Sequence, residues 1–280
     1  TEDLDWGGTF YGTAKTYLKH QFYFEKIGAK SLDFKVAKGQ VYIKTWDDEE
    51  KLDVKIDAEI ALLGQMAGDP LESFLERSRI EVDDQQILFH VPNKRVEVQL
   101  TCYLPQRYYD EVTVRLLKGE LVIENVQAEK LLIHSTSGAI VLKDLAAALL
   151  EIQGTDNQIE LQAGEISAGF VETVNGMIIA RAALEQADFS LVNGDIKVTA
   201  GNATLKSIKA HSINGDVKVA LPPTIGLAGV AKTSQGMINY RLTDCETTQE
   251  RVNGTQKRLH LRRIAPETAE VEVSSTAGNI

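Results

Sequence analysis

Two aspartates occupy equivalent places in neighbouring sequence repeats, where carboxylate oxygens could hold a cation. Asp195 and Asp216 each follow an Asn-Gly pair. Carboxylates of this kind suit Ca²⁺, and stacked β-rolls bind calcium through aspartates in their turns. Those rolls use dense glycine–aspartate nonapeptides, whereas Met177 and Met237 take the place of the aspartate in other repeats of this chain. We therefore interpret both aspartates as solvated turn charges and expect neither a metal nor another cofactor.

The other residue types that carry catalysis do not form a recognisable active-site pattern. His134 and His211 share a repeat position but lie four repeats apart, about 19 Å at the usual strand spacing, so they cannot share a metal ion. Carbohydrate-cleaving enzymes need paired carboxylates, but Glu151, Glu160 and Glu172 fall at different repeat positions. The sequence contains no HExxH, GxSxG or P-loop motif. We expect a protein that is not an enzyme, and a polysaccharide-active β-helix remains an alternative.

Three tyrosines lie close together in the sequence and form a candidate contact site. Tyr103, Tyr108 and Tyr109 flank Pro105 and Arg107. Exposed aromatic side chains bind sugars and proteins, whereas the alternative is a packed corner between an irregular first region and the regular repeats. The candidate binding residues are Tyr108, Tyr109 and the turn residues Asn193, Asp195, Asn214 and Asp216.

These side chains must be positioned by sequence repeats, each marked by a glycine turn, that recur at a nearly constant spacing. The turn positions 119, 138, 157, 176, 194, 215 and 236 are separated by 19, 19, 19, 18, 21 and 21 residues. Apolar residues follow the turn at its second and fourth positions and precede it at the fifth. A fixed period of this kind is typical of a solenoid. We call each repeat a rung, and we predict two short strands per rung, stacked in parallel about 4.8 Å apart.

The turn residues suit a corner that needs positive φ. Glycine adopts positive φ without steric cost and asparagine is the next best choice, which would explain why Asn157 replaces glycine in one rung. The preceding residue is asparagine in three successive rungs: Asn175, Asn193 and Asn214. Stacked amides can hydrogen-bond from rung to rung. We therefore favour a structural ladder over ligand binding at these asparagines.

The sequence divides into three regions and predicts an all-β fold. We expect a single-chain parallel β-solenoid, or β-helix, with about 19–21 residues per rung and one short helix. Residues 1–20 are expected to be an N-terminal arm, a cap or the remnant of a missing module. Residues 21–110 are expected to form an irregular β region, the first part of the solenoid, with a helix near 69–79 that begins at Asp69-Pro70. Residues 111–280 contain the regular rungs and the closing strands. Open ends of such a stack need caps, or they serve as docking edges for a homo-oligomer.

Composition excludes several classes of protein. The chain has 280 residues, 43% of them hydrophobic, and a formal net charge of −10. This charge argues against a nucleic-acid partner and against passive adsorption to anionic lipid. The sequence has no run of 18 apolar residues, so we expect no transmembrane segment. Cys102 and Cys245 follow no metal or redox spacing, and we expect them to be unpaired thiols.

The repeats resemble a known family. Residues 190–198 (SLVNGDIKV) and 211–219 (HSINGDVKV) resemble a bacterial family of putative adhesins, β-strand-repeat domains of unknown function. Related domains form the C-terminal parts of LiaX-like and YvlB-like envelope-stress proteins. The strands that end in proline at 100–105 and 219–223 are similar to the family's strand ends.

The resemblance implies a function but no catalytic residues. It implies a non-enzymatic binding or scaffold domain at the bacterial cell envelope or surface, involved in adhesion or in the envelope stress response. Its partner would be a protein or an envelope component. A cytoplasmic regulatory or oligomerising β-solenoid is the alternative.

Overall fold

The computed structural model describes residues 14–64 and 68–280, and these residues are almost entirely β-structure. Their helix is α1 (Pro70–Glu76), and their strands are β1 (Lys15–Phe24), β2 (Ser31–Thr45), β3 (Val54–Leu63), β4 (Arg79–Val82), β5 (Ile87–Val91), β6 (Val96–Leu104), β7 (Tyr108–Glu124), β8 (Gln127–Ser137), β9 (Ile140–Ala200), β10 (Ser207–Asn214), β11 (Val217–Ala220), β12 (Gly226–Thr233), β13 (Glu246–Arg251), β14 (Lys257–Arg263) and β15 (Thr268–Ser275). The all-β prediction with one short helix is confirmed for this part of the chain. Of the arm expected at 1–20, residues 1–13 lie outside the described residues and residues 15–20 belong to β1.

The strands that carry the turns pair in parallel and in register. β7 pairs with β8 and β8 with β9 so that Val114, Ile133 and Ile152, which hold the same place in successive rungs, are neighbours. β9 and β10 pair at an offset of 21 residues, the spacing of the turns at 194 and 215, which places Asn193 beside Asn214. β9 itself runs for 61 residues through several rungs without a break. The period of the sequence is therefore the offset between neighbouring strands in the structure.

The sheet as a whole is mixed, so a purely parallel solenoid is not confirmed. At one end β1 pairs with β3, and β3 with β6, in antiparallel fashion before β6 joins β2 in parallel. At the other end β12, β14 and β13 are antiparallel. Only residues 252–256 separate β13 from β14, and a parallel connection needs a dozen residues or more. The short connection therefore imposes the hairpin of β13 and β14, whereas the antiparallel pairs at the first end join strands that are not consecutive in the chain.

One rung lies out of sequence order. β15 pairs in parallel with β10 on one side and with β12 on the other, so the rung of Gly278 lies between those of Gly215 and Gly236. The order of the last rungs in the stack therefore differs from the order of their turns in the sequence. Ala210 faces Val273, and Val273 faces Ala231. All three fill the apolar position five residues before the turn, so periodicity does not distinguish the two orders.

Aromatic residues close the core near the first strands. Phe34 and Phe89 stack at 5.7 Å between ring centroids, and Phe74 of α1 lies 6.5 Å from Phe89. The side chain of Asp69 accepts the N–H of Leu71, which caps the helix as expected. Leu75 of the same helix is 45% exposed. A helix of seven residues is short enough that Phe74 alone is fully buried.

Candidate binding groove

The turn glycines form one column along the stack. A Cβ built on Gly194 would lie 1.8 Å from the carbonyl oxygen of Gly176, and one on Gly215 would lie 1.8 Å from that of Gly194. Gly176 and Gly194 have φ of +138° and +143°, whereas Gly215 is not among the positive-φ glycines. Close approach of neighbouring backbones, more than φ alone, therefore requires glycine at this corner.

The predicted asparagine ladder is confirmed. The amide Nδ2 of Asn175 donates to Oδ1 of Asp156 at 2.8 Å, that of Asn193 to Asn175 at 2.9 Å, and that of Asn214 to Asn193 at 2.8 Å. Each amide therefore holds its rung to the one before it, at the exposed edge of the corner. This arrangement accounts for asparagine at these positions without a ligand.

The two candidate aspartates form a second ladder beside the first. The backbone N–H of Asp216 donates to Oδ1 of Asp195 at 2.8 Å, and the N–H of Asn279 donates to Oδ1 of Asp216 at 2.8 Å. The structure thus brings Asn193, Asp195, Asn214 and Asp216 together at one corner, where each takes part in bonds between rungs. Ligand binding by their remaining exposed atoms stays a prediction.

The expected reason for Asn157 in the glycine column, its tolerance of positive φ, is wrong. Asn157 is not among the residues with positive φ, and its side chain is 2% exposed. Its amide donates to Oγ of Ser135 at 2.9 Å and accepts the hydroxyl of Thr173 at 3.1 Å. A Cβ at Gly154 would lie 1.9 Å from this amide. Asn157 is therefore a buried polar bridge for which Gly154 leaves room, and tolerance of positive φ does not explain it.

The predicted tyrosine site does not form an exposed aromatic cluster. Tyr109 is fully buried, and its hydroxyl donates to the carbonyl oxygen of Pro105 at 2.7 Å. Burial raises the pKa of this hydroxyl. Tyr108 is 48% exposed and donates to Glu129 at 2.6 Å, while Tyr103 stacks on Trp46. The alternative of a packed corner fits Tyr109, and Tyr108 alone of the two candidates remains open to a ligand.

A row of basic side chains, which the sequence alone did not single out, crosses three neighbouring strands. Lys35 of β2 lies in register with Arg115 of β7, which lies in register with His134 of β8. Each stands four residues before the turn of its rung, points outward and is exposed. We call these three residues the cation row. Their backbones follow one another at about the 4.8 Å spacing of paired strands, so the row extends over about 10 Å.

The cation row lines a groove along the corner. The groove has a volume of about 590 Å³ and also contains Ala37, Leu117 and Thr136, which stand two residues after each member of the row. Gln153 and Glu172 continue the row in the next two rungs. The groove thus has a basic end and an acidic end, with an apolar and hydroxyl-bearing strip beside them.

The charges of the row are available to an external partner. Among the described residues, neither Lys35 nor Arg115 forms an ion pair with a carboxylate. The nearby carboxylate of Asp33 lies 3.2 Å from Nε2 of His90. Arginine offers a planar fork of donors that suits carboxylate and phosphate oxygens, and lysine offers a point charge. The arrangement can therefore bind an anionic chain that lies along the stack.

The geometry agrees with the relationship found by comparison. Residues 76–280 match the model of the family described as Toastrack DUF4097. The chain belongs to this family. Among its relatives, the Uncharacterized protein YvlB of Bacillus subtilis (strain 168) is 24% identical over 243 residues, which cover 86% of this chain. The aligned region spans 66% of that protein, just under two thirds of its length. The family resemblance drawn from the repeats is confirmed.

Solved structures that this chain resembles weakly include two proteins of remote sequence. A putative adhesin from Bacteroides fragilis has a TM-score of 0.48 and 13% identity, over 95% of this chain and 98% of that one. A putative adhesin from Parabacteroides distasonis has a TM-score of 0.44 and 12% identity, over 95% of this chain and 97% of that one. Likeness at this level does not bear on the function of the Toastrack chain.

The Toastrack match contains two members of the cation row. Arg115 and His134 fall within residues 76–280, whereas Lys35 lies before them. The described part of the Toastrack chain contains no helix that is long and apolar enough to cross a membrane.

Proposed function

We propose that this chain is a non-enzymatic binding and scaffold domain of the bacterial cell envelope, which holds an extended anionic partner along the cation row. The parallel central strands would form a solenoid that serves as the rigid support. The observation that carries the proposal is the in-register row of Lys35, Arg115 and His134 beside a groove of about 590 Å³, with no carboxylate of the described chain paired to Lys35 or Arg115.

The ladders support the scaffold part of the proposal. In rungs farther along the stack than the cation row, asparagine amides and aspartate carboxylates hold neighbouring rungs together at the turn corner. Side chains fixed in register on neighbouring strands lose little conformational freedom when a ligand contacts several of them. A repeating partner could therefore gain affinity from several weak contacts at once.

The net charge of the chain makes the row distinctive. With −10 overall, the protein repels polyanions at long range. A local row of unpaired cations would therefore select a partner that lies along the groove rather than one that adsorbs to the whole surface. The placement at the envelope draws on the resemblance of the repeats to envelope-stress proteins, and it is the part of the proposal that needs its own test.

Binding of model polyanions tests the proposed groove. Poly-L-glutamate and dextran sulfate serve as probes, neutral dextran as the control ligand, and K35E with R115E as the variant. Reversing two charges should weaken polyanion binding by about tenfold or more at low salt, and the wild-type affinity should fall as salt rises. The matched control is K197E with K218E, which reverses two exposed lysines paired on adjacent strands on the other side of the turn. Equal weakening by both double variants would contradict the groove, as would turnover of the polysaccharide.

Cell location is tested separately. Protease treatment of intact cells that carry the whole gene product should cleave this domain if it lies outside the membrane. Protection in intact cells together with recovery in the cytosolic fraction would favour the cytoplasmic regulatory alternative. The binding assay would be unaffected by that outcome, so the two parts of the proposal fail independently.

A further inference from the structure

A histidine lies on each side of the lysine and the arginine of the cation row. His90 of β5 is in register with Lys35 of β2, and on the other edge of β2 follow Arg115 of β7 and His134 of β8. Residues that lie in register on paired strands point to the same face of the sheet. The four side chains therefore form one line across β5, β2, β7 and β8, about 14 Å long at the usual strand spacing.

The two histidines differ from the cations between them because the charge of an imidazole ring depends on pH. Histidine changes its charge between about pH 5 and pH 8, whereas lysine and arginine remain charged throughout that range. With both rings neutral, the line carries the charges of Lys35 and Arg115 alone. Protonation of both rings would double the positive charge that this surface offers to an anion.

The surroundings of His134 couple its protonation to the presence of an anion. Its neighbours in register are Arg115 on β7 and Gln153 on β9. Glu151, two residues before Gln153, and Glu172, at the acidic end of the groove, are nearby carboxylates. Among the described residues, His134 forms no ion pair with a carboxylate. Two cations on neighbouring strands repel each other, and an anion bound across both relieves the repulsion. Protonation of His134 and binding of an anion therefore favour each other.

His90 lies between two strands that both carry charges. On β4, Arg79 is in register with His90, and its Nε donates to Oε1 of Glu81 at 2.8 Å, so these two charges offset each other. On β2, Oδ2 of Asp33 lies 3.2 Å from Nε2 of His90, close to Lys35. Within the described part of the chain, Nε2 of His90 and Oδ1 of Asp33 are buried without a hydrogen-bond partner. A proton on His90 would thus enter beside a carboxylate that no hydrogen bond fully satisfies.

The carboxylate of Asp33 offsets part of the charge of Lys35. The two residues are two positions apart on β2, so they point to the same face of the sheet. A neutral His90 leaves Asp33 as a negative charge beside the cation row, whereas a protonated His90 compensates it. Protonation of His90 therefore makes Lys35 more available to an external anion.

We propose that the cation row binds its anionic partner together with protons, which His90 and His134 take up from the solvent. This coupling rests on the proposed function, because it concerns the same groove and the same partner. Each proton adds to one imidazole nitrogen, and no other bond forms or breaks. Because the bound state holds more protons than the free state, affinity rises as pH falls, and binding in turn draws protons from the buffer. His90 becomes a further binding residue of the site.

Titration with dextran sulfate at about pH 8 and about pH 6, at fixed low salt, tests the coupling. Sulfate esters remain ionised over this range, so the charge of the probe is constant. Wild-type affinity should rise by about fivefold or more on acidification. H90Q with H134Q should reduce the ratio of the two affinities to less than about twofold. H20Q with H260Q removes the same number of histidines from β1 and β14 and should keep the wild-type ratio.

Two further measurements separate charge from loss of the imidazole ring. Calorimetry in buffers of different ionisation enthalpy should show net proton uptake on binding by the wild type, and H90Q with H134Q should abolish it. His134→Lys supplies the charge without a titration near neutrality, so it should bind more tightly than the wild type at about pH 8. Equal or weaker binding by this variant would contradict the role given to the charge.

The outcomes distinguish the coupling from the function on which it rests. Equal wild-type affinity at both pH values, or the wild-type ratio in H90Q with H134Q, would overturn the coupling alone, provided that K35E with R115E still weakens binding. No binding of dextran sulfate at either pH would overturn the proposed function and the coupling with it.

Discussion

Replacing Gly194 with alanine tests one of the close backbone contacts of the stack. The new Cβ would lie 1.8 Å from the carbonyl oxygen of Gly176 and 2.9 Å from its carbon, at a residue whose φ is +143°. Because the contact is with backbone, no side-chain rotation relieves it, so the two rungs must shift apart. We expect about 1–3 kcal/mol for the disfavoured backbone conformation and about 1 kcal/mol for each inter-rung hydrogen bond that is lost. The variant should therefore be destabilised by about 2–4 kcal/mol.

Urea unfolding followed by far-UV circular dichroism measures this change as a shift in the midpoint. Gly201→Ala is the matched control, because no atom lies within 4 Å of its Cβ position and its φ is not in the positive range. We expect the control to remain within about 0.5 kcal/mol of the wild type, or to gain slightly from a less flexible unfolded chain. A Gly194→Ala protein as stable as the control would refute the tight column.

Three further predictions concern single side chains. Tyr109→Phe leaves a buried backbone carbonyl without its hydroxyl donor, so we expect a loss of about 1–2 kcal/mol in the free energy of unfolding. Cys102 is fully buried and burial raises the pKa of its thiol, so iodoacetamide should modify only Cys245 in the native protein and both thiols after denaturation. A hydrogen bond to Glu124 raises the pKa of Tyr42 from 10.0 to about 12, so the native state keeps a proton that the unfolded state loses. Stability should therefore fall between pH 10 and about 12, and Tyr42→Phe should flatten this fall in unfolding curves recorded against pH. A Tyr42→Phe profile as steep as that of the wild type would contradict the assignment.

The turn period was sufficient to predict the centre of the fold. Glycine recurs because each corner approaches the backbone of the next, and apolar residues alternate because one side of each strand faces the core. Both requirements repeat in every rung, so they leave a periodic signal. The amide ladder followed from the same logic, since Asn175, Asn193 and Asn214 had to lie one strand spacing apart.

Local exceptions could not be predicted because their reasons lie in other rungs. Asn157 occupies a turn position for a reason that depends on Ser135, Thr173 and the room left at Gly154. The sequence places Tyr109 in a group of candidate surface aromatic residues. In the structure its ring is buried in the core and its hydroxyl donates to the carbonyl oxygen of Pro105. In each case the role of the side chain depends on contacts with residues that are distant in the sequence.

Strand order explains why the candidate sites were not visible in the sequence. Lys35 and Arg115 are far apart in the chain, yet they are direct neighbours because β5 and β6 pair with one edge of β2 and leave its other edge free for β7. The sequence places Lys35 and Arg115 each four residues before a turn glycine, but it does not show that these two rungs are neighbours in the stack. β15 likewise enters between two rungs that are consecutive in sequence, so β10 and β12 are not neighbours. In a stacked fold the rungs themselves follow from local periodicity. Binding surfaces formed between rungs depend on the order of stacking, which apolar positions shared by every rung do not encode.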